Sequence, residues 1–133
     1  MDIPALIDER LRDLFPGLLG MHFTEATPDL VKASLEVRPP ICTAGDILHG
    51  GAIMAFADTI GAVATVLNMP SGARTVTLES KTNFLASAKV GTQVTGECVP
   101  LHRGKTTMTW QTRVLGENGK LLAFVIQTQL VLQ

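Results

Sequence analysis

The sequence predicts an α+β fold in which an antiparallel sheet of about six strands wraps around one long buried helix, with a short helix ahead of both. Three observations carry that expectation. The stretch from His49 to Asn68 reads HGGAIMAFADTIGAVATVLN, and the seventeen residues after its glycine pair hold one formal charge, Asp58. Almost every face of this helix is apolar, so it is expected to be covered all round. A hairpin precedes it and four strands follow, joined mostly by tight turns. Local hairpins build an antiparallel sheet, and a helix with strands before and after it in the chain is covered by that sheet curling round it.

In chain order, Asp2 is placed to cap a first helix with Pro4 in its opening turn. Ile3, Leu6, Ile7, Leu11 and Leu14 recur at helical spacing until Pro16 and Gly17, which are expected to end it. Strand pattern runs over 21–27 and 30–37 with Pro28-Asp29 as the turn. Residues 41–48 have no clear period and read as a structured loop leading to His49. Beyond the long helix, Pro70-Ser71-Gly72 is a turn, and 75–84 alternates with Val76, Leu78 and Phe84 on one side and Thr77, Glu79, Lys81 and Asn83 on the other. Strands at 92–102 and 106–115 follow, the second with Met108, Trp110, Thr112 and Val114 on one face. Asn118-Gly119 is a hairpin signal, and the last strand, 120–132, offers Leu122, Phe124, Ile126, Leu130 and Leu132 as its apolar row, broken by Thr128.

A chain of 133 residues is expected to form one domain spanning 1–133. Hydrophobic residues make up 46% and charged residues 17%, which leans towards an oligomer that covers apolar surface. The net charge of −1, with bases scattered along the chain, gives no electrostatic footprint for nucleic acid or an anionic membrane. Acids precede any base at the N-terminus and the pattern there is helical, so no targeting segment is read and a cytoplasmic location is expected. Cys42 and Cys98 lack metal or disulfide spacing, and His22 and His102 have no partners at ligand spacing, so no metal site is expected. Insertion of the long helix in a bilayer would place Asp58 near its centre at a cost of roughly 2.5–3.5 kcal/mol.

Asp58 is the residue that asks for an explanation. Its neighbours one turn away, Met54, Ala55, Gly61 and Ala62, offer nothing to neutralise a carboxylate. A buried charge of this kind needs a distant partner or a chemical task.

The order of elements, with Leu48-His49-Gly50-Gly51 and then Ala57-Asp58 on the long helix, resembles the hotdog-fold acyl-CoA thioesterases, in particular the phenylacetate-pathway and hydroxybenzoyl-CoA branches. The similarity runs from about Leu18 onward. It implies Asp58 as nucleophile or general base, and the backbone N–H of Gly50, with Gly51 beside it, as the group that polarises the thioester carbonyl. Thr77, on the first strand after the helix and supplied by the other subunit, is the best match for a hydroxyl that assists the attacking water. Family members usually carry Asn or Gln six residues before the His, where this chain has Thr43; Thr43 fills that role, or Cys42 or Asp46 does so through a shifted loop. The resemblance also implies a homodimer with one continuous sheet and sites between subunits, pairing further into a tetramer.

Thioester hydrolysis needs a carboxylate and donors where the oxyanion develops, and the first turn of a helix supplies such donors. Gly50 lies eight residues before Asp58, about 12 Å along an ideal helix, so one chain's pair is too far apart to act on one carbonyl. Taking Gly50 from one subunit and Asp58 from the other removes the difficulty. His49 reads as a hydrogen-bonded core residue that orients the loop, with acid/base catalysis as the other reading. Glu79, the rival carboxylate, sits on a polar strand face beside Lys81 as an ion pair or a solvated group. Arg103 and Lys105, together on one hairpin turn, are the choice for the phosphates of coenzyme A. Ile53, Met54 and Phe56 with Phe84 would line an apolar pocket for a small aromatic or medium-chain acyl group. Coenzyme A enters as part of the substrate, and no separate cofactor is expected. The alternative function is a non-catalytic acyl-CoA-binding module on the same fold.

Overall fold

The computed structural model describes residues 2–133. The N-terminal segment forms two helices, α1 (Ile3–Leu11) and α2 (Phe15–Leu19), where one was expected. Asp2 caps α1 by accepting a hydrogen bond from the Ala5 N–H at 3.1 Å. Pro16 opens α2 instead of ending α1, because a first-turn proline gives up an N–H that has no intrahelical acceptor. Between them the chain crosses so closely that a Cβ at Gly17 would lie 1.8 Å from the Arg12 carbonyl oxygen. Asp8 fastens α1 to the sheet: its carboxylate accepts from the Phe23 N–H at 2.8 Å and meets His22 Nδ1 at 2.6 Å.

The first hairpin forms as read, with β1 at His22–Thr27 and β2 at Leu30–Glu36. The loop expected at 41–48 is better described as a small ribbon of two short strands, β3 (Cys42–Thr43) and β4 (Ile47–Leu48), turned by Gly45 and Asp46 at φ 90° and 59°. It leads directly into α3 (Gly50–Val66), and β5 (Arg74–Phe84), β6 (Gln93–Arg103), β7 (Thr107–Leu115) and β8 (Leu121–Leu132) follow. The main sheet is antiparallel and six-stranded in the order β1-β2-β6-β7-β8-β5, with α3 against one face. Its core is built from Phe23, Val31, Leu35, Val94, Trp110 and Val114 of the sheet meeting Ile53, Phe56 and Ile60 of α3.

Three details depart from the sequence reading. The first concerns α3, which is not covered all round: Ile53, Phe56, Ala57, Ile60, Ala64 and Thr65 are buried, but Met54 is 38% and Val66 52% exposed. A sheet covers one side of a helix, and the short N-terminal helices only part of the other. The second concerns β8, where the core-facing row is Ala123, Val125, Gln127, Gln129 and Val131, while Phe124, Ile126, Leu130 and Leu132 are half-buried on the outer face. Hydrophobicity chose the wrong row because the two glutamines find partners inside. The third is a bulge in β5 between Thr77 and Glu79, which breaks the even alternation expected there. Both Thr77 and Phe84 consequently reach α3, and Val76 and Leu78 are left 48% and 56% exposed on a strand that forms the sheet's edge.

Candidate active site

The His-Gly-Gly sequence is a helix cap. His49 has extended backbone, and its Nδ1 accepts from the Gly51 N–H at 2.7 Å. A Cβ at Gly51 would lie 2.9 Å from that nitrogen, so glycine is what lets the imidazole fold back over the helix end. His49 is exposed, which corrects the expectation of a core residue, while its orienting role stands as geometry. Because Nδ1 accepts, the ring proton sits on Nε2. With the Gly51 N–H taken by His49, and the Ala52 and Ile53 N–H groups given to the His49 carbonyl at 2.9 and 3.1 Å, the Gly50 N–H is left without an acceptor among the described residues. The Phe84 ring lies beside it: a Cβ at Gly50 would be 3.2 Å from Phe84 Cε1.

Two turns further along α3, Asp58 is half-buried and not enclosed, which corrects the picture of a carboxylate shut in the core. Its partner is Thr77, whose hydroxyl donates to Asp58 Oδ1 at 2.5 Å within the same chain, not across subunits as the resemblance implied. Behind Thr77 stands a group that sequence reading missed. Gln129 Nε2 donates to Thr77 Oγ1 at 2.7 Å and to Gln127 Oε1 at 2.9 Å, and Gln127 Nε2 donates to the Ala57 carbonyl at 2.9 Å. Both glutamines are buried. Gly61 makes room for them, since a Cβ there would lie 2.2 Å from Gln127 Nε2. The signal available in the sequence was a pair of amides two apart in an otherwise apolar strand, together with a glycine in mid-helix, where glycine costs about 1 kcal/mol relative to alanine.

The remaining expected residues fall in different places. Thr43 is exposed on β3, one ribbon away from the helix start; the half-buried Cys42 turns its thiol to the Arg38 carbonyl at 3.1 Å, and Asp46 is an exposed turn residue. Ile53 and Phe56 are closed into the core, 3% and 0% exposed, and so line no open pocket, whereas Met54 and Phe84 are accessible. In place of those core residues, an apolar groove of about 320 Å³ opens between α1 and α3, lined by Ile7, Leu11, Thr59, Ala62, Val63 and Val66. Ala62 is one helical turn beyond Asp58. Arg103 is engaged in the fold: its guanidinium donates to the Pro28 carbonyl at 3.1 Å and to Asp29 Oδ1 at 2.8 Å, tying the first hairpin to β6. Lys105 is exposed, and with Arg103 it borders an open cavity of about 540 Å³ beside Asn68 and Gln133. Glu79 is exposed, and Lys81 bonds to Asn83 at 3.3 Å, so the solvated reading of Glu79 holds.

This arrangement has counterparts in known proteins. The sequence profile of the Thioesterase superfamily matches residues 45–123. The chain is 34% identical over 105 residues to the 1,4-dihydroxy-2-naphthoyl-CoA hydrolase of Escherichia coli, covering 79% of this chain and 76% of that one. It is 32% identical over 102 residues to the proofreading thioesterase EntH of Cronobacter turicensis, covering 77% and 74%. In three dimensions it is similar to the crystal structure of a thioesterase from Haemophilus influenzae, with a TM-score of 0.94, 25% identity, and coverage of 100% of this chain and 92% of that one.

Proposed function

Since the chain belongs to the thioesterase superfamily and is a thioester hydrolase with the hotdog fold, we propose that it cleaves a small aromatic or medium-chain acyl-CoA to the free acid and coenzyme A, with Asp58 as nucleophile or general base. The observation that carries the assignment of Asp58 is its contact with Thr77: one carboxylate oxygen is held by a hydroxyl at 2.5 Å, and the side chain stands at the open edge of α3. Thr77 so placed orients the carboxylate, and the water that the carboxylate activates.

The electrophilic half of the site is the Gly50 N–H, which is free, lies at the positive end of a helix dipole, and is flanked by glycine so that a thioester can approach the backbone. In one chain it is about 12 Å from Asp58 along α3. The site therefore combines Gly50 of one copy with Asp58 and Thr77 of another. Support for such a homodimer, pairing further into a tetramer, comes from β5: eleven residues long, at the sheet edge, with unpaired backbone and exposed Val76 and Leu78. His49 holds the helix start in shape through Gly51, and Thr43 stands in for the Asn or Gln of family members.

In the general-base route water adds to the carbonyl carbon as Asp58 takes its proton, the C–S bond breaks, and that proton passes to the departing sulfur. In the nucleophilic route Asp58 adds to the carbonyl carbon and the C–S bond breaks to release the thiolate, after which water opens the anhydride, frees the acid and the Asp58 carboxylate, and supplies the proton that the thiolate takes up. The acyl group occupies the groove between α1 and α3, whose size and largely apolar lining, with Arg10 the one charged residue in it, suit an aryl or medium acyl group, while Phe84 stands beside the Gly50 N–H and Met54 is accessible on α3. Lys105 and Arg103 meet the phosphates of coenzyme A. As written, the chemistry uses no metal and no separate cofactor. No helix among the described residues is long and apolar enough to cross a membrane, and we place the enzyme in the cytoplasm.

Free-thiol release from a panel of benzoyl-, phenylacetyl-, hydroxybenzoyl-, short- and long-chain acyl-CoAs tests the proposal. Asp58→Asn keeps size and fold but removes the negative charge, and turnover of the best substrate should fall by roughly 10²–10⁴-fold. Retention of most turnover would remove Asp58 from the mechanism.

A further inference from the structure

The buried amides of β8 form a directed chain, and its direction can be derived. The Ala57 carbonyl can only accept, so the group facing it at 2.9 Å is the NH₂ of Gln127. That orientation turns Gln127 Oε1 towards Gln129, which must present its own NH₂ at 2.9 Å. The second N–H of Gln129 then points at Thr77 Oγ1 at 2.7 Å, while its Oε1 faces the Thr75 hydroxyl at 2.9 Å, whose one proton it shares with the Leu130 carbonyl, also at 2.9 Å. With a donor aimed at its oxygen, Thr77 has its single proton left to give, and the acceptor in reach is Asp58 Oδ1 at 2.5 Å. Two arms thus diverge from the Gln129 NH₂, one ending on α3 at the carbonyl of residue 57 and the other at the carboxylate of residue 58. Flipping either amide would set carbonyl oxygen against carbonyl oxygen, or leave a buried polar group unpaired.

Resting on the reading of Asp58 given above, we propose that Gln129, backed by Gln127, is a positioning residue for the hydrolysis: it locks the Thr77 hydroxyl as a donor to Asp58, holding the carboxylate in one rotamer with Oδ2 turned to the reacting atoms. The bonds from Gln129 to Thr77 and from Thr77 to Asp58 point the same way and polarise one another, so the one to the ionised carboxylate is strengthened, while the arm through Gln127 to the Ala57 carbonyl anchors the Gln129 amide in place. A buried glutamine pair with only a packing role would have no reason to end on the reactive group.

The test is a double-mutant cycle on the acyl-CoA that the full chain hydrolyses best. Gln129→Met keeps length and removes the donor. It is expected to lower kcat roughly ten-fold with KM within two-fold of the parent, about the upper end of what one hydrogen bond between neutral groups contributes. Because Gln129 acts through Thr77, the double variant Gln129→Met/Thr77→Val should be no slower than Thr77→Val alone, and Thr77→Ser, which keeps the hydroxyl, should restore most of the rate lost in Thr77→Val. Independent effects, in which the double variant shows the product of the two single losses, would overturn the proposal, as would an unchanged kcat in Gln129→Met. If Gln129→Met does not fold, Gln129→Leu repeats the cycle with an apolar side chain that has no donor, and is held to the same outcomes. Asp58→Asn separates the two levels of inference: turnover surviving in it overturns the reading of Asp58, whereas an inactive Asp58→Asn beside a fully active Gln129→Met overturns the role of Gln129 alone.

Discussion

The two flanks of α3 approach the sheet equally closely and by opposite means. Towards β6 the glycine is on the sheet: a Cβ at Gly96 would lie 2.5 Å from Ile60 Cδ1 and 2.9 Å from Phe56, so two large apolar side chains of the helix sink into a strand that makes way. Towards β8 the glycine is on the helix, and Gly61 makes way for Gln127 of the strand. One flank is filled with hydrocarbon and contributes stability. The other carries oriented amides that end on Thr77 and Asp58. What the difference teaches is that close packing does two separable things here: on one side it excludes water, and on the other it fixes directions of hydrogen bonds that matter only if the enzyme turns over.

That separation can be broken experimentally, beginning with the larger effect. Ile60→Ala removes a fully buried side chain from the apolar flank and should cost about 2–5 kcal/mol in chemical denaturation. The kcat of the remaining folded enzyme should match the parent. A large loss of kcat per folded molecule would show that the flanks are coupled.

Gly61→Ala attacks the other flank. The added methyl group displaces Gln127 from the Ala57 carbonyl, and the net cost of overpacking should be about 1–3 kcal/mol, partly offset by the better helix propensity of alanine. Its mark should be a fall in kcat out of proportion to that loss, read by thiol release on protein shown by circular dichroism to be folded. A variant equally destabilised but with the parent's kcat would argue that the amide chain is packing alone.

The smallest effect is on the apolar flank and depends on pH. Cys98 of β6 is buried beside Thr112, and burial pushes its thiol from 9.0 up to about 11. The folded state disfavours the thiolate, so the unfolded chain loses this proton first as pH rises. The contribution is fully present below pH 9 and drains away between about 9 and 11, at no more than about 1.4 kcal/mol per pH unit. Urea midpoints measured at pH 8 and pH 10 should therefore diverge more for the parent than for Cys98→Ala; an equal divergence would assign the pH response to other groups.

Much of this molecule is legible in its sequence because the rules involved act over a few residues. The apolar helical run of 50–66, the Asp2 cap, the Pro28-Asp29 turn, the Asn118-Gly119 turn with both residues at positive φ, and the buried row Met108, Trp110, Thr112 and Val114 are all local patterns, and the structure contains each of them. The His-Gly-Gly cap is equally local: the imidazole reaches an amide two residues on. Where reading failed, the deciding partner was far away in the chain. Nothing near Asp58 announces Thr77 nineteen residues later, which only the family resemblance named, and nothing near Gln127 announces a carbonyl seventy residues earlier. Without those partners the glutamine row of β8 looked like the wrong face, and the apolar row like the right one.

The sequence by itself determined the long apolar helix, the six main strands, their order and the single carboxylate on that helix, since each follows from backbone sterics, turn chemistry and hydrophobic pattern. Only the tertiary structure decided which row of β8 faces inward, that a bulge turns both Thr77 and Phe84 towards α3, and that Arg103 is held by Asp29. A polar side chain is buried or exposed according to whether a partner waits for it, and that partner is supplied by the fold.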